Sequence, residues 1–321
     1  MCKYDRIITH DDLDGVISGF FMATIFKIPV ENIIFTTPND MKAGQVYTTK
    51  RDIVCDLPQP KVAGLWADHH ISNKPNIDSN DDSIGVWHWF LEPSCAAVIY
   101  RMYASKLPCN RRFQSILKYT NKIDSGDLTP EEVLNPSTAG IISITLRSGN
   151  RREDDDYRRW VISELMRGKS FSDIANSDWA KRRFFDKRDK QKSFKDITKR
   201  RLDIREHGVA VLDVCDIPGF SDSLYEIYAE YPEVEYLISV SFYGDSPEFV
   251  RMNVGMNIFK KDQKRTVPNI GDIMKRYGGG GHVNVGGIHC IDIKKYKRVV
   301  DEIVLLIQGA LAYSTYSEYS H

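Results

Sequence analysis

Short apolar runs alternate with amphipathic segments along the first third of the chain. The runs predict strands at YDRIITH, NIIFTTP, DIVCDLP and VAGLWADHH, and DGVISGFFMATIF predicts a helix with a broad apolar face. Such alternation is typical of a parallel sheet with helices on both faces. We therefore predict an α/β fold whose first part is a doubly wound, mainly parallel sheet.

The rest of the chain has two further textures. Between Leu146 and Arg205 both charges are dense and apolar residues recur at helical spacing, which predicts two or three amphipathic helices. After Gly208 strand-like runs return, followed by a helix at NIGDIMKRY, the segment GGGGHVNVGG and a closing amphipathic helix. We assign residues 1–190 to the first domain, 191–206 to a helical linker and 207–321 to a second, smaller α/β domain.

Composition narrows the classes of protein that this chain can represent. Its 321 residues, 42% of them hydrophobic, suffice for two domains with real cores. Lysine and arginine number 44, as do aspartate and glutamate, so no overall basic field predicts binding to long DNA. The start MCKYDRIITH lacks a leader pattern, and no apolar stretch reaches the length of a membrane span. We therefore expect a cytoplasmic protein without membrane association.

The cysteines do not form metal-binding or redox motifs. No CxxC pair occurs, and most of them lie in or beside apolar runs, which favours reduced thiols over disulfides or a zinc knuckle. The six are Cys2, Cys55, Cys95, Cys109, Cys215 and Cys290.

The hexapeptide HDDLDG lies where the first predicted strand ends and the first helix begins. Alternate side chains project the same way there, so His10, Asp12 and Asp14 would converge on one point while Asp11 turns aside. Packed carboxylates repel one another unless a cation lies among them. An aspartate that only caps the helix is the structural alternative, and the hexapeptide alone does not decide between the two.

Other strand ends carry the same residue types. DIVCDLP ends its β pattern at Asp56, LWADHHIS ends at Asp68, His69 and His70, and NKIDSGDL places Asp124 and Asp127 in a turn after a helical segment. Ligands of open α/β sheets bind outside the carboxyl ends of the strands. Histidine with carboxylates suits Mn²⁺, and less well Mg²⁺, and two such ions bridged by a carboxylate hydrolyse phosphoesters.

A glycine-rich loop ending in a histidine precedes the last predicted strand. Four consecutive glycines are costly in conformational entropy unless backbone amides must approach a ligand, and such amides can bind an anion. A flexible turn is the structural alternative. Arg251, on FVRMNVGMN, is a candidate fork for phosphate or carboxylate, or a surface arginine. The loop residues are Gly278, Gly279, Gly280, Gly281 and His282.

The ordered set HDDLDG, CDLP, ADHH, KIDSGD and GGGGHVNVGG resembles the DHH phosphoesterase family. Within it, the chain is similar to the branch with a C-terminal DHH-associated domain, which includes RecJ-type exonucleases, nanoRNase-type oligoribonucleases and cyclic-dinucleotide phosphodiesterases. The resemblance covers nearly the whole chain in the right order. It implies a metal-dependent phosphoesterase with two divalent ions and an active site between the two domains.

The resemblance also implies residue roles. His10 and Asp12 would bind one metal and Asp14 the other, with Asp56 bridging both and His69 and Asp124 completing the second set. His70 would face the substrate phosphate or leaving group, supported by Asp68, and the loop from Gly278 to His282 would bind substrate. The chain departs from the family in the spacing of its first histidine, in VNVGG after the glycine-histidine motif, and in Arg251-Met252 where an Arg-Ser pair is frequent. These departures bear on substrate preference more than on reaction type.

Three hypotheses about function follow. The favoured one is an Mn²⁺-dependent phosphodiesterase or exonuclease that hydrolyses short oligonucleotides or linear or cyclic dinucleotides to mononucleotides, with 3′-phosphoadenosine 5′-phosphate as a further substrate. The second is hydrolysis of pyrophosphate or polyphosphate. The third is a catalytically silent protein that binds a nucleotide and regulates a partner. The sequence does not decide between a monomer and a homodimer.

Overall fold

The computed structural model describes residues 3–75, 83–108, 111–217, 219–220, 224–243, 246–260 and 268–318, so that Cys2 and Cys109 lie outside the described residues. The chain divides into two compact units, one of residues 1–128 and 136–187 and one of residues 129–135 and 188–321. One helix, Asp178–Arg201, runs from the first unit into the second. Residues 191–206, expected as a linker, complete that helix and then add a strand to the second sheet.

The first unit is built on a five-stranded sheet, in which every strand pairs in parallel and the order is β2-β1-β3-β4-β5. This confirms the predicted α/β class and the parallel sheet. The strand β5 was not predicted. The strands are β1 (Arg6–His10), β2 (Ile33–Thr36), β3 (Asp52–Cys55), β4 (Leu65–Asp68) and β5 (Trp87–Trp89).

Helices cover this sheet and connect its strands. The pattern between Leu146 and Arg205 predicted two or three helices, and three form there. The helices of the chain as far as the second unit are α1 (Leu13–Phe26), α2 (Pro38–Lys42), α3 (Cys95–Tyr103), α4 (Arg111–Asp124), α5 (Pro130–Leu134), α6 (Thr138–Thr145), α7 (Arg151–Met166), α8 (Phe171–Ala175) and α9 (Asp178–Arg201). Of these, α5 belongs to the second unit.

The alternation of side chains along the strands separates two apolar cores. Ile7, Ile53 and Leu65 pack with α1, α3, α4 and α7 on one face of the sheet. Their neighbours Ile8 and Val54 point to the other face, where they pack with Trp66. Because both faces are buried, the strands are apolar throughout, and polar side chains are left to the strand ends.

The second unit contains a six-stranded mixed sheet in the order β10-β11-β9-β8-β7-β6. Its core packs the sheet against α11 and α12 on one face. The elements are β6 (Leu202–Ile204), β7 (Val209–Asp213), α10 (Leu224–Glu230), β8 (Tyr236–Tyr243), β9 (Ser246–Met256), α11 (Ile270–Lys275), β10 (Gly280–Gly281), β11 (Val285–Asp292) and α12 (Tyr296–Glu318). Among the described helices of both units, none has the length and hydrophobicity that crossing a membrane requires.

Candidate metal centre

The turn between β1 and α1 gives Asp12 two functions at once. Its Oδ1 accepts a hydrogen bond from the Gly15 amide at 3.0 Å and so caps α1, while its Oδ2 lies 2.8 Å from His10 Nδ1. The turn is tight because a Cβ on Gly15 would lie 2.1 Å from the His10 carbonyl oxygen. A glycine is therefore required where the sequence places Gly15.

Asp14 lies in the first turn of α1 and is fully buried. Its two carboxylate oxygens accept hydrogen bonds from the backbone amides of Cys95 at 2.6 Å and Ala96 at 2.9 Å. These amides open α3, whose N-cap is Ser94, and the N-terminal end of a helix favours a negative charge. The two helices thus hold the carboxylate of Asp14 in one position.

Asp56 follows the last residue of β3 and occupies the left-handed region of backbone conformation, with φ of 56°. That conformation is costly for a residue other than glycine, and strain of this kind concentrates at functional sites. Its Oδ2 lies 3.3 Å from His10 Nδ1, and its Oδ1 lies 3.6 Å from His69 Nε2. The two oxygens of one buried carboxylate therefore face two different histidines.

His69 follows β4, and its Nε2 lies 3.2 Å from Asp124 Oδ2 and 3.8 Å from Asp14 Oδ2. The other ring nitrogen, Nδ1, lies 3.0 Å from the Glu92 carbonyl oxygen, to which it can only donate. A proton on Nδ1 leaves Nε2 with a free lone pair, which is how backbone carbonyls orient metal-binding histidines. Asp124 is the last residue of α4 and not part of the predicted turn.

His70 is the most exposed of the histidines at this edge, with 44% of its side chain accessible. Its Nδ1 lies 2.9 Å from Oδ1 of Asp68, which is completely buried and also accepts a hydrogen bond from Asn73 at 2.7 Å. Asp68 therefore orients the His70 ring. The Nε2 of His70 is the nitrogen that remains for a ligand.

The structure brings all eight of the histidines and aspartates singled out at the strand ends into one place. Three overlapping groups have ligand atoms close enough for a shared metal ion, and Asp56 belongs to two of them. Asp127 joins none of these groups in the described part of the chain. The groups are His10, Asp12 and Asp56; Asp14, His69 and Asp124; and Asp56, Asp68, His69 and His70.

Crowded negative charge perturbs the protonation of these groups. Burial raises the pKa of Asp14 and Asp56, and repulsion from neighbouring carboxylates raises both further. Burial with repulsion from Asp14 and Asp56 raises the pKa of Asp124 to about 9. Burial acts against the charged forms of His10 and Asp12, but their mutual hydrogen bond prevails: it lowers the pKa of Asp12 to about 2 and, with Asp56, raises that of His10 to about 10.

The donor set fits a divalent cation. Two of its atoms, Asp56 Oδ1 and His69 Nε2, are buried and have no hydrogen-bond partner within the described residues. Such atoms are costly unless something pairs with them. Imidazole nitrogen with several carboxylates, and no thiolate in the groups, matches borderline and hard divalent metals.

Three residues near the centre were missed by sequence reasoning. Asp11 does not face the metal groups, but its Oδ1 lies 3.5 Å from His10 Nε2, the nitrogen on the far side of that ring. Asp11 is paired in turn with Arg147 and Arg158. No local signal could have found these arginines, because they are 136 and 147 residues away in sequence.

The glycine-rich loop lines a separate cavity of about 690 Å³ in the second unit. A Cβ on Gly279 would lie 2.3 Å from the Gly287 carbonyl oxygen, so this wall has no room for side chains. His282 and Asn253 also line the cavity, whereas Arg251 is exposed on β9 and does not. The described lining residues include no lysine, arginine, aspartate or glutamate, so the expected anion-binding loop lies in an uncharged cavity.

Comparisons with known proteins place this fold. The sequence matches no protein-family model and no curated protein. The pGpG-specific phosphodiesterase PggH from Vibrio cholerae is similar in structure, with a TM-score of 0.78 and 25% identity over 95% of this chain and 99% of that chain. The DHH domain of a member of a ribosomal protein family gives 0.60 and 12% over 95% and 87%. RecJ from Thermus thermophilus, solved with Mn²⁺, gives 0.50 and 9% over 94% and 51%.

Histidines and carboxylates gathered at one edge of this sheet are the means by which a metal-dependent phosphoesterase works, and the protein is an enzyme of that class. The structural likenesses and the ordered motifs agree on something narrower. The chain belongs to the DHH phosphoesterase family, as the resemblance in its sequence implied, and is a phosphodiesterase within it.

Proposed function

We propose that this phosphodiesterase uses two Mn²⁺ ions to hydrolyse linear dinucleotides and other short oligonucleotides to mononucleotides. The observation that carries the proposal is Asp56, whose two oxygens each face a different group of metal-ligating residues. The likeness to a pGpG-specific phosphodiesterase over almost the whole of both chains supports a dinucleotide substrate.

His10 and Asp12 would hold one ion, Asp14, His69 and Asp124 the other, and Asp56 would bridge the two. Such a pair of ions, when bound, would lower the pKa of an attacking water and stabilise charge on the phosphoryl oxygens. The amides that open α3 would keep Asp14 from rotating out of its set, since they hold both of its oxygens. Mn²⁺ is the proposed ion because nitrogen and oxygen donors are mixed, and Mg²⁺ is the alternative.

His70 would serve the departing oxygen. The hydrogen bond to Asp68 raises the pKa of His70, so the ring holds its proton nearer to neutral pH. With Nδ1 directed at Asp68, that proton is available at Nε2, where a leaving oxygen would receive it. Asp68 would act only by positioning His70, because its carboxylate is buried behind the ring.

The cavity of the second unit would take the nucleoside end of the substrate. Its lining is uncharged and flat where the glycines lie, which suits a nucleobase better than a phosphate. Gly278, Gly279, Gly280 and Gly281 would present backbone amides, and His282 would add a side-chain donor. Arg251 remains a candidate for the phosphate of a substrate, outside this cavity.

Product analysis tests the proposal. Protein loaded with Mn²⁺ would be incubated with pGpG, a longer RNA, a cyclic dinucleotide, 3′-phosphoadenosine 5′-phosphate and pyrophosphate. Mononucleotides from pGpG are expected, with no product from Asp124→Asn and full activity from Asp127→Asn, a matched acid outside the metal groups. Turnover of pyrophosphate alone would make the protein a pyrophosphatase. Bound metal with no turnover of any substrate would favour a nucleotide-binding regulator.

A further inference from the structure

A second cavity lies beside the metal centre, within the first unit. Its volume is about 230 Å³, and it is bounded by Thr36 and Thr37 at the carboxyl end of β2 and by Arg151 at the start of α7. None of the proposed metal ligands lines it. Arg147 lines it and also lies beside the metal centre, with its Nη2 3.5 Å from His10 Nε2.

The acids that line this cavity each have a buried arginine as partner. Arg158, whose side chain is 3% exposed, donates to the Asp11 backbone carbonyl at 2.9 Å, to the Asp11 carboxylate at 3.4 Å and to Asp155 at 2.7 Å. Asp154 is bound by buried Arg183 and by the Ser148 amide and hydroxyl. These carboxylates therefore remain paired whatever the exposed side chains do.

The two other arginines of the cavity are free to change partner. Arg147 is 53% exposed and pairs with Asp11, which Arg158 also holds. Arg151 is 65% exposed and pairs only with Asp40, at 3.3 Å, among the described residues. Exposed ion pairs of this kind contribute little stability, about 0–1 kcal/mol. Either guanidinium could turn to an incoming anion without leaving a buried charge unpaired.

Two further features favour an anion in this cavity. The N-terminal end of α7, a helix of 16 residues, points its unpaired amides and its dipole toward Gly149 and Arg151, which line the cavity. Thr36 is only 1% exposed and lines the cavity as well, and its hydroxyl has no hydrogen-bond partner within the described residues. Rotation about its χ1 would offer that hydroxyl to a ligand.

We propose that this cavity binds the terminal 5′-phosphate of the substrate, through Arg147 and Arg151, and so makes the enzyme select 5′-phosphorylated dinucleotides. The proposal rests on the proposed function, because it needs a dinucleotide at the adjacent metal centre. A phosphate monoester carries up to two charges and three acceptor oxygens, which two guanidinium forks match. Free phosphate shares this chemistry, and the experiment separates the two.

The test compares pGpG with GpG, which differs only in lacking the 5′-phosphate. A hydrogen bond to a charged group contributes about 1.5–3 kcal/mol, so wild type should prefer pGpG by about 10- to 100-fold in kcat/KM. Arg147→Ala and Arg151→Ala should each reduce that ratio toward one, Arg147→Lys should restore part of it, and Arg152→Ala should leave it unchanged. Arg152 is the matched control because it lies on the same turn of α7 outside the cavity.

Binding measurements keep the result decisive if no substrate is hydrolysed. Calorimetry on the Asp56→Asn variant would compare the affinities of pGpG, GpG and inorganic phosphate. Tighter binding of pGpG than GpG, lost in the Arg147→Ala background, would support the cavity even if the proposed reaction were wrong. Equal affinities for pGpG and GpG, or equal losses for both in Arg147→Ala, would overturn it. Tight binding of free phosphate without discrimination between the dinucleotides would assign the cavity to phosphate alone.

Discussion

Binding of Mn²⁺ should release protons, because the metal-free centre holds protons that its ligands must lose. Asp124, with a pKa of about 9, and His10, with a pKa of about 10, are both protonated at pH 7. A carboxylate or imidazole binds metal only after losing its proton. We therefore expect about two protons to leave when the centre fills at pH 7, and more if Asp14 and Asp56 contribute.

The magnitude follows from linkage. Each released proton makes the apparent metal affinity rise tenfold per pH unit, so two protons predict a rise of about 100-fold between pH 6 and pH 7. Titration calorimetry in two buffers with different heats of ionisation, such as HEPES and Tris, counts the protons directly. Asp124→Asn should release one proton fewer, and Asp127→Asn should release the same number as wild type. Heats that do not depend on the buffer would refute the reasoning.

The same protons affect the stability of the metal-free protein. Between about pH 4 and pH 9 the folded state binds the Asp124 proton and the unfolded state does not, so stability falls as pH rises. The slope is about 1.4 kcal/mol per pH unit for each such proton. Thermal denaturation without metal should show this decline between pH 7 and pH 8, reduced in Asp124→Asn. Saturating Mn²⁺ should abolish the decline in wild type.

Three further substitutions test other parts of the structure. His70→Ala should lower kcat by about 10²- to 10⁴-fold with metal content retained by elemental analysis, and Asp68→Asn should move the alkaline limb of the kcat profile to lower pH, since Asp68 raises the pKa of His70. Gly279→Ala should raise KM for a dinucleotide without changing Mn²⁺ affinity, because its Cβ would lie 2.3 Å from a β11 carbonyl oxygen. Arg183→Leu leaves buried Asp154 without its arginine and should cost about 3–5 kcal/mol in a denaturant titration of the metal-free protein.

Most of the first unit could be predicted because its signals are local. Apolar runs of strand length stop at polar clusters, and parallel strands bring those clusters to one edge. The strand β5 was missed because it has three residues and Trp87 is 47% exposed, so it carries no buried run. Asp124 was placed in a turn, yet it ends α4, since helix ends are poorly marked in sequence.

The rest of the site depends on packing between distant segments. Arg147 and Arg158 reach Asp11 only because α7 packs beside β2 and the start of α1, which no pattern around either arginine specifies. The uncharged lining of the second cavity was missed for a related reason. Alternation along β9 does not say how far a side chain lies from a loop that pairs two strands away, so Arg251 and Asn253 were equally plausible.

Asp12 shows why a cap and a ligand were a false choice. A carboxylate has two oxygens with several lone pairs, and the helix needs only one of them. Oδ1 of Asp12 caps α1 while Oδ2 faces His10, and both oxygens of Asp56 are likewise used separately. Capping even improves the ligand, because it fixes the rotation of the carboxylate before a metal arrives. An aspartate at the start of a helix beside a histidine therefore supports both interpretations, and Asp12→Ser, which can still cap, should retain α1 while weakening Mn²⁺ binding.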